Sequence, residues 1–266
     1  MVLAAAGMVL AACSGGGHKS SAAKPASGKA TTPTTALSGP QPTPKPTARA
    51  AVEALLSEEQ HNDHTASYLL LSAGSRQSDF HNVDLWAHRR DELAPITKFT
   101  IQQEKGDTVV VLVEHKPGLD PFTGLAVAKE RQSWRGVKVA GGFLVDGEPT
   151  FQPEYPPDDS AKPAALAWAQ AVQACDQAKA EAQQAAHPLF GSQPAAAGQL
   201  CHSTGQITAG PATKLPPGPT SSDLIAQYSS DALEWARSVP VTAPSGSFHV
   251  LLAPIGDGWQ VIGLAE

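Results

Sequence analysis

Three features that would point to a class of function are missing from the sequence. No apolar run approaches the roughly 20 residues that a membrane-spanning helix requires. No patch of Lys and Arg is visible, since residues 48–266 carry 15 basic and 25 acidic side chains, so we expect no binding to nucleic acid. There is no GxSxG, no HExxH, no phosphate-binding glycine loop and no SxxK beside a helix start. No catalytic motif therefore indicates an enzyme, and no cofactor is expected.

The first of only three cysteines ends an uncharged apolar run, Val2 to Cys13, and Ser-Gly-Gly-Gly follows it at once. At about 11 residues this run is too short to cross a bilayer, but it has the length of a signal-peptide core. Leu10-Ala11-Ala12-Cys13 resembles the lipobox of bacterial lipoproteins at each position. The resemblance implies that residues 1–12 are a signal peptide and that lipid on Cys13 anchors the protein to the extracytoplasmic face of a bacterial cell membrane. The alternative is an apolar N-terminal helix that happens to end in cysteine.

Residues 13–47 predict a disordered tether. After Cys13 the segment consists mainly of Pro, Thr, Ser, Gly, Ala and Lys, and Leu37 is its only large apolar side chain. Such a composition buries too little surface to offset the entropy of ordering. Its length would reach about 100 Å as a polyproline helix, or on the order of 30 Å as a flexible coil.

Lipid on Cys13 would leave Cys175 and Cys201 as an even pair in an oxidising compartment. We therefore predict a disulfide that closes a loop of about 27 residues, which chain entropy values at roughly 3.5 kcal/mol. The alternative is two buried free thiols. The spacing around the two cysteines does not suggest a zinc site, and no metal is expected.

Residues 48–157 predict helices first and strands later. Apolar side chains at helical spacing mark two helices before residue 73, and Ser78 or Asp79 is placed to cap a third. The third helix has an apolar stripe made of Phe80, Val83, Trp86, Ala87 and Leu93. Extended runs follow at residues 97–103, 107–115 and 125–140, and a Gly141-Gly142 turn leads into a last strand. This order predicts an α+β domain with a curved antiparallel sheet.

The segments "SYLLLSAGSR" and "LWAHRRDELAPITKFTI", followed by a meander with a Trp-bearing strand, resemble the nuclear transport factor 2-like fold. The similarity covers about 100 residues. It implies a cone of helices and curved sheet, which occurs in extracytoplasmic bacterial lipoproteins. This fold is used by isomerases, dehydratases and non-catalytic binding modules, so the resemblance does not identify the function.

Residues 158–266 predict a second α+β domain of similar size. A long Ala-rich helix is expected from Ala165 to Ala186, followed by a Gly- and Pro-rich loop at residues 191–222 and a helix at residues 222–238. The chain ends in a hairpin that turns at Gly256-Asp257-Gly258. Helices followed by a Trp-bearing hairpin repeat the plan of the first domain, so this domain is either a degenerate repeat or an unrelated body of the same plan.

The third predicted helix carries His81, Asp84 and His88 on one face, which is where zinc ligands could lie. His61 and His64 could approach from the preceding turn. The apolar stripe occupies the opposite side of the helix, so these polar side chains face away from the core and lack the surroundings of a metal site. We predict that they form a solvated helix face.

We therefore predict a membrane-anchored extracytoplasmic lipoprotein that acts as a non-catalytic binding or accessory module for an envelope protein or a small ligand. The alternative is a small-molecule enzyme, an isomerase or a hydrolase, that uses the pocket of the first domain. An enzyme of the ketosteroid-isomerase type would need a base at the mouth of the cone. The candidate residues are His115, Glu114, Asp84 and Tyr68.

Overall fold

The structure, a computed structural model, describes residues 41–121, 124–189 and 194–266. The predicted signal peptide, Cys13 and residues 14–40 of the predicted tether lie outside this described part. Helices and mainly antiparallel sheets make up the described chain, as expected for an α+β protein. Among the described helices none is both long and apolar enough to cross a bilayer.

Residues 41–157 are called the first body here. They begin with four helices, and each helix starts at a polar cap whose side chain accepts a hydrogen bond from a backbone N–H three residues later. The four caps are Thr47, Asp63, Ser72 and Asn82. The helices are α1 (Ala48–Gln60), α2 (His64–Tyr68), α3 (Ala73–Ser78) and α4 (Val83–Asp91). Lys45 also exchanges two backbone hydrogen bonds with Phe143, so ordered structure extends into the predicted tether.

Two predictions about the third helix were wrong. It begins at Val83 rather than near residue 79, because Asn82 caps it and donors at its start are satisfied there. Phe80 and His81 therefore precede the helix. Phe80 is still buried, and it packs edge-to-face on Trp86 with the ring centroids 4.7 Å apart.

Six strands follow α4. They are β1 (Ile96–Lys105), β2 (Thr108–His115), β3 (Gly118–Asp120), β4 (Gly124–Ala126), β5 (Lys129–Val139) and β6 (Gly142–Pro153). The order β1-β2-β5-β6 forms an antiparallel sheet, and β3 pairs with β4 in a separate hairpin. The single strand predicted at residues 125–140 is thus two strands in different sheets.

Helix α1 packs against this four-stranded sheet. Val109, Val111 and Val113 alternate with more exposed residues along β2, as expected for a strand that is covered on one face. On β5, a Cβ atom at Gly136 would lie 2.5 Å from the Cβ of Ala48 at the start of α1. Glycine is therefore required where the helix crosses this strand.

Residues 158–266, called the second body here, contain shorter helices than predicted. Its helices and strands are α5 (Ala161–Gln173), α6 (Gln177–Glu181), β7 (Gln184–Leu189), α7 (Ala195–Gly198), β8 (Thr208–Ala209), β9 (Thr213–Lys214), α8 (Pro219–Tyr228), α9 (Ala232–Trp235), β10 (Arg237–Ala243), β11 (Gly246–Ile255) and β12 (Gly258–Ala265). The sheet order is β7-β12-β11-β10-β8, and β9 also pairs with β10. All pairs are antiparallel except β7 with β12.

The long helix predicted to reach Ala186 was wrong. Helix α5 ends at Gln173, because Cys175 has a left-handed backbone with φ of 53° and Asp176 then caps α6. Ala186 lies in β7. The helix predicted for residues 222–238 also breaks, at Ser229 with φ of 88°, and the chain is already in β10 at Arg237.

Each sheet has its own buried apolar cluster. A third cluster joins the two bodies, since Leu119 and Leu125 of the β3–β4 hairpin pack with Tyr228 and Trp235. The sheets differ in strand number, in order and in the parallel pair of the second sheet.

Candidate functional site

An ion pair lies inside the first body. Arg90 of α4 donates from Nε to Oε2 of Glu59 of α1 at 2.6 Å, and each side chain is only 3% exposed. Glu59 occupies this position because it follows Val52, Leu55 and Leu56 on the buried face of α1. A charge buried this deeply requires a partner, because its hydration is lost.

Three more side chains complete this buried cluster. Ser67 donates a hydrogen bond to Oε1 of Glu59, and Trp86 Nε1 donates to Ser67 Oγ at 2.8 Å and to Glu59 Oε1 at 3.2 Å. The guanidinium of Arg90 lies 5.3 Å from the centroid of the Trp86 ring. His64 connects the cluster to the surface, with Nδ1 3.5 Å from Glu59 Oε2 and Nε2 3.1 Å from Oδ1 of the exposed Asp91.

A second polar chain runs along the inner side of the sheet. His115, at the end of β2, donates from Nδ1 to the carbonyl oxygen of Ala94 at 2.8 Å, and its Nε2 lies 3.1 Å from Oε1 of Glu130. Gln132 donates to the same carboxylate oxygen, and Trp134 Nε1 donates to Gln132 Oε1 at 2.8 Å. Glu130, Gln132 and Trp134 share one face because alternate residues of a strand point the same way.

The pKa of Glu130 is lowered from its ordinary value of 4.5. Burial alone would raise this pKa, but hydrogen bonds from His115 and Gln132, and the charges of His115 and Arg90, outweigh burial. Glu130 is therefore ionised at neutral pH and accepts hydrogen bonds. Nδ1 of His115 donates to the carbonyl oxygen of Ala94, and its Nε2 faces the carboxylate of Glu130 at 3.1 Å.

His115 and Glu130 lie on the wall of a cleft of about 540 Å³. The end of α4 and the loop after it form one side, and β4, β5 and β6 form the other. Phe151 and Leu125 both line the cleft, and 41% of the surface of Phe151 is exposed. At the rim, Arg89 is held by Glu148 at 2.7 Å and by Glu92 at 3.1 Å, and these hydrogen bonds raise its pKa. The cleft thus combines an apolar wall with a charged rim.

The structure does not bring His81, Asp84 and His88 together as ligands. All three are exposed, and His81 lies before α4. His88 Nε2 is 3.5 Å from Oε1 of Glu92 in an exposed pair. In the part of the chain that the structure describes, three or more His, Cys, Asp or Glu ligand atoms converge at Cys175, Cys201 and His202 instead.

Of the four candidate bases, His115 alone lines the cleft. Glu114 faces the other side of β2 and pairs with Lys98 at 2.9 Å. Asp84 is exposed, and Tyr68 donates its hydroxyl to the carbonyl oxygen of Phe80 at 3.0 Å. The partner of His115 was missed, although the period-two pattern Glu130, Gln132, Trp134 indicates that Glu130 shares the inward face of the tryptophan.

Cys175 and Cys201 lie at disulfide-bonding distance, with Cα atoms 5.0 Å apart, and this is the pairing that the sequence predicted. His202, the neighbour of Cys201, was overlooked. Its Nδ1 lies 3.1 Å from Sγ of Cys175. The position of His202 directly after Cys201 in the sequence was the feature that could have indicated this contact.

No model of a known protein family matches this chain, and no curated protein matches it. The resemblances to the lipobox and to the nuclear transport factor 2-like cone therefore stay expectations from the sequence.

Proposed function

We propose that this chain is a non-catalytic binding or accessory protein of the bacterial envelope. Lipid on Cys13 would hold it on the extracytoplasmic face of the cell membrane, and the part of residues 13–47 that precedes Lys45 would serve as its tether. Three features support this proposal: the four-residue match to a lipobox, the Pro- and Thr-rich segment behind it, and a cysteine pair of the kind that oxidising compartments favour. The binding surface would be the cleft beside Phe151.

The filled interior of the first body is the observation that favours binding over catalysis. Trp86 and Trp134 are fully buried, and the Glu59–Arg90 pair occupies the space between α1 and α4. Catalysis on a small molecule favours a dry, enclosed pocket, because a low dielectric strengthens electrostatic effects there. Here the polar side chains inside contact one another, and the cavity beside Glu59 and Arg90 measures about 120 Å³, against about 540 Å³ for the cleft at the surface.

We also propose that the first body is a nuclear transport factor 2-like cone. Four helices precede an antiparallel sheet of order β1-β2-β5-β6, and α1 packs against all four strands. This order supports the fold that the sequence resemblance implies. It does not choose between partners.

The ligand that best fits the cleft is a segment of an envelope protein. Phe151 and Leu125 offer apolar contact, while Arg89, Asp91 and Glu92 offer charges of both signs at the rim. An apolar centre with a polar rim is the usual composition of a protein-binding patch. A small ligand with one apolar and one charged end is the other occupant that the cleft would accept.

A photoreactive amino acid in place of Phe151 tests the cleft directly in cells. The matched control is the same substitution at Leu85, which is also 41% exposed and does not line the cleft. We expect a discrete crosslinked product from position 151 and none from position 85. Equal crosslinking at both positions, or none at either, would contradict a binding role for this surface.

The anchor has its own test. Cys13→Ala should leave the protein uncut or released, because acyl chains and not the short apolar peptide supply stable attachment. Cell fractionation and the intact mass of the mature chain report this. A wild-type mass without lipid, together with membrane retention of the variant, would contradict the lipoprotein proposal.

The His115–Glu130 pair keeps the enzyme as a second candidate, since it places an imidazole and a carboxylate within hydrogen-bond distance of each other on the cleft wall. The ligand recovered from crosslinking separates the two functions. If the protein only binds its ligand, the same molecule is recovered whether residue 115 is His or Gln. If the protein is an isomerase or a hydrolase, the recovered ligand is chemically changed only when His115 is present. Mass spectrometry of the recovered ligand makes this comparison.

A further inference from the structure

Cys175, Cys201 and His202 form a cluster in the second body. Their two Sγ atoms and the Nδ1 atom of His202 all lie within 4.8 Å of one another. Nδ1 is 3.1 Å from the sulfur of Cys175, and both Cys201 and His202 are exposed. Left-handed backbones at Cys175 and His202, with φ of 53° and 65°, turn the two chain segments so that these side chains meet.

Contacts other than the S–S bond hold the two segments together. The backbone N–H of His202 donates to the carbonyl oxygen of Gln173 at 3.1 Å. The side-chain amide of Gln173 donates to the carbonyl oxygens of Ser203 at 3.1 Å and Gly205 at 3.0 Å. Leu200 is fully buried in the core of this body. The three side chains therefore remain close to each other when the S–S bond is opened.

We propose that reduction turns this disulfide into a zinc site with Cys175, Cys201 and His202 as ligands. A dithiol reductant supplies two electrons and two protons, becomes a disulfide itself and leaves two cysteine thiols. Zn²⁺ then displaces the two thiol protons to solvent, and the neutral imidazole of His202 binds through the lone pair on Nδ1. The metal and the disulfide exclude each other, since both use the same sulfur atoms.

The spacing of the cluster suits this metal. Zinc takes sulfur at about 2.3 Å and imidazole nitrogen at about 2.0 Å in a tetrahedron, so its ligand atoms lie roughly 3.5–3.8 Å apart. Nδ1 of His202 already lies 3.1 Å from Sγ of Cys175, and opening the S–S bond frees the two sulfur atoms to move apart to this distance. Both cysteines line a cavity of about 490 Å³, so water can approach as the fourth ligand.

Metal titration of oxidised and reduced protein tests the proposal. The full chain carries Cys13→Ser, so that no third thiol contributes, and the probes are Co²⁺ and Zn²⁺ alone after reduction with a phosphine. We expect one equivalent of Co²⁺ with thiolate charge-transfer absorption in the reduced protein and none in the oxidised protein. His202→Ala should weaken the affinity about tenfold or more, as loss of a coordinating group does. His88→Ala, at another exposed histidine, should leave it unchanged.

Three outcomes would overturn the zinc site. They are equal binding by oxidised and reduced protein, equal binding by His202→Ala and its parent, and absence of binding by folded, reduced protein. A reduced chain that has lost its cooperative thermal transition would overturn it as well, because the site depends on Gln173 holding the two segments. The proposal does not rest on the function of the cleft, and neither result decides the other.

Discussion

The buried tryptophans of the two bodies have different surroundings. In the first body, Trp86 donates its indole N–H to Ser67 and Glu59, and Trp134 donates to Gln132. In the second body, the indole nitrogens of the buried Trp168 and Trp235 have no hydrogen-bond partner among the described residues. Trp259 differs from them, since its indole N–H donates to the carbonyl oxygen of Pro157 and to Ser160. The tryptophans inside the first body thus belong to a polar network, whereas Trp168 and Trp235 have apolar surroundings.

This difference implies different sources of stability. A network of buried polar groups is stable only while every member keeps its partner, so single substitutions in it cost much more than its net contribution. An apolar interior responds mainly to the volume removed. The second body, with its smaller residues and long loops, is held in addition by the covalent link between Cys175 and Cys201.

The largest effect is expected from Glu59→Ala. It leaves Arg90 buried without its partner, and breaking a buried pair in this way costs about 3–5 kcal/mol. Glu148→Ala is the control, since it breaks the more exposed pair with Arg89 and should cost at most about 1 kcal/mol. Denaturant unfolding measures both. Similar losses from the two variants would show that the first body does not depend on its buried network.

Cys175→Ser with Cys201→Ser should have the next largest effect. The two cysteines are 26 positions apart, and chain entropy values a loop of this size at roughly 3.5 kcal/mol. The loss should be confined to the second body, because the link closes a loop that lies wholly within it. Hydrogen exchange measured residue by residue shows which backbone amides lose their protection from exchange. Reduced protection in β1 and β2, with the second sheet unchanged, would contradict this assignment.

The sequence carried information about some of these features and not others. The alternation of apolar residues located β2. One of the three cysteines lies in the lipobox match, so the other two, Cys175 and Cys201, were the predicted disulfide pair. Arg90 could not be placed, because a charged residue on a short helix is normally exposed and its partner Glu59 lies 31 positions earlier on another helix. The break at Cys175 was hidden because alanine is common on both sides of it and favours a continuous helix.

Trp86→Phe compared with Trp235→Phe sharpens the contrast between the interiors. Both substitutions remove similar volume from fully buried positions. Only the first removes indole hydrogen bonds, to Ser67 and to the Glu59 carboxylate that pairs with Arg90, and a hydrogen bond to a member of an ion pair is worth about 1.5–3 kcal/mol. The Trp86 variant should therefore lose more unfolding free energy by about this amount. Equal losses in thermal and denaturant unfolding would mean that the indole hydrogen bonds contribute nothing measurable.

Acid unfolding should depend on Glu130. Its pKa is lowered in the folded protein, so its contribution to stability is present above the ordinary value of 4.5 and is lost as the pH falls through the lowered pKa. Glu130→Gln should make the unfolding free energy fall less steeply below about pH 4.5. His115→Ala should do the same, since it removes the side chain that faces the Glu130 carboxylate. An unchanged acid limb in both variants would contradict the ion pair.

The smallest effect is expected on the outer side of the first body. If its stability resides in buried polar groups, exposed ones should contribute little, and His81, Asp84 and His88 are all exposed. Changing all three to Ala should cost no more than about 0.5 kcal/mol each, with a small part of this at Asp84 because it lies in the first turn of α4. Calorimetric titration of the oxidised protein with zinc provides the second measurement, since these side chains lack converging partners. Stoichiometric zinc binding at sub-micromolar affinity, lost in the His81→Ala, His88→Ala variant, would show that this surface is a metal site after all.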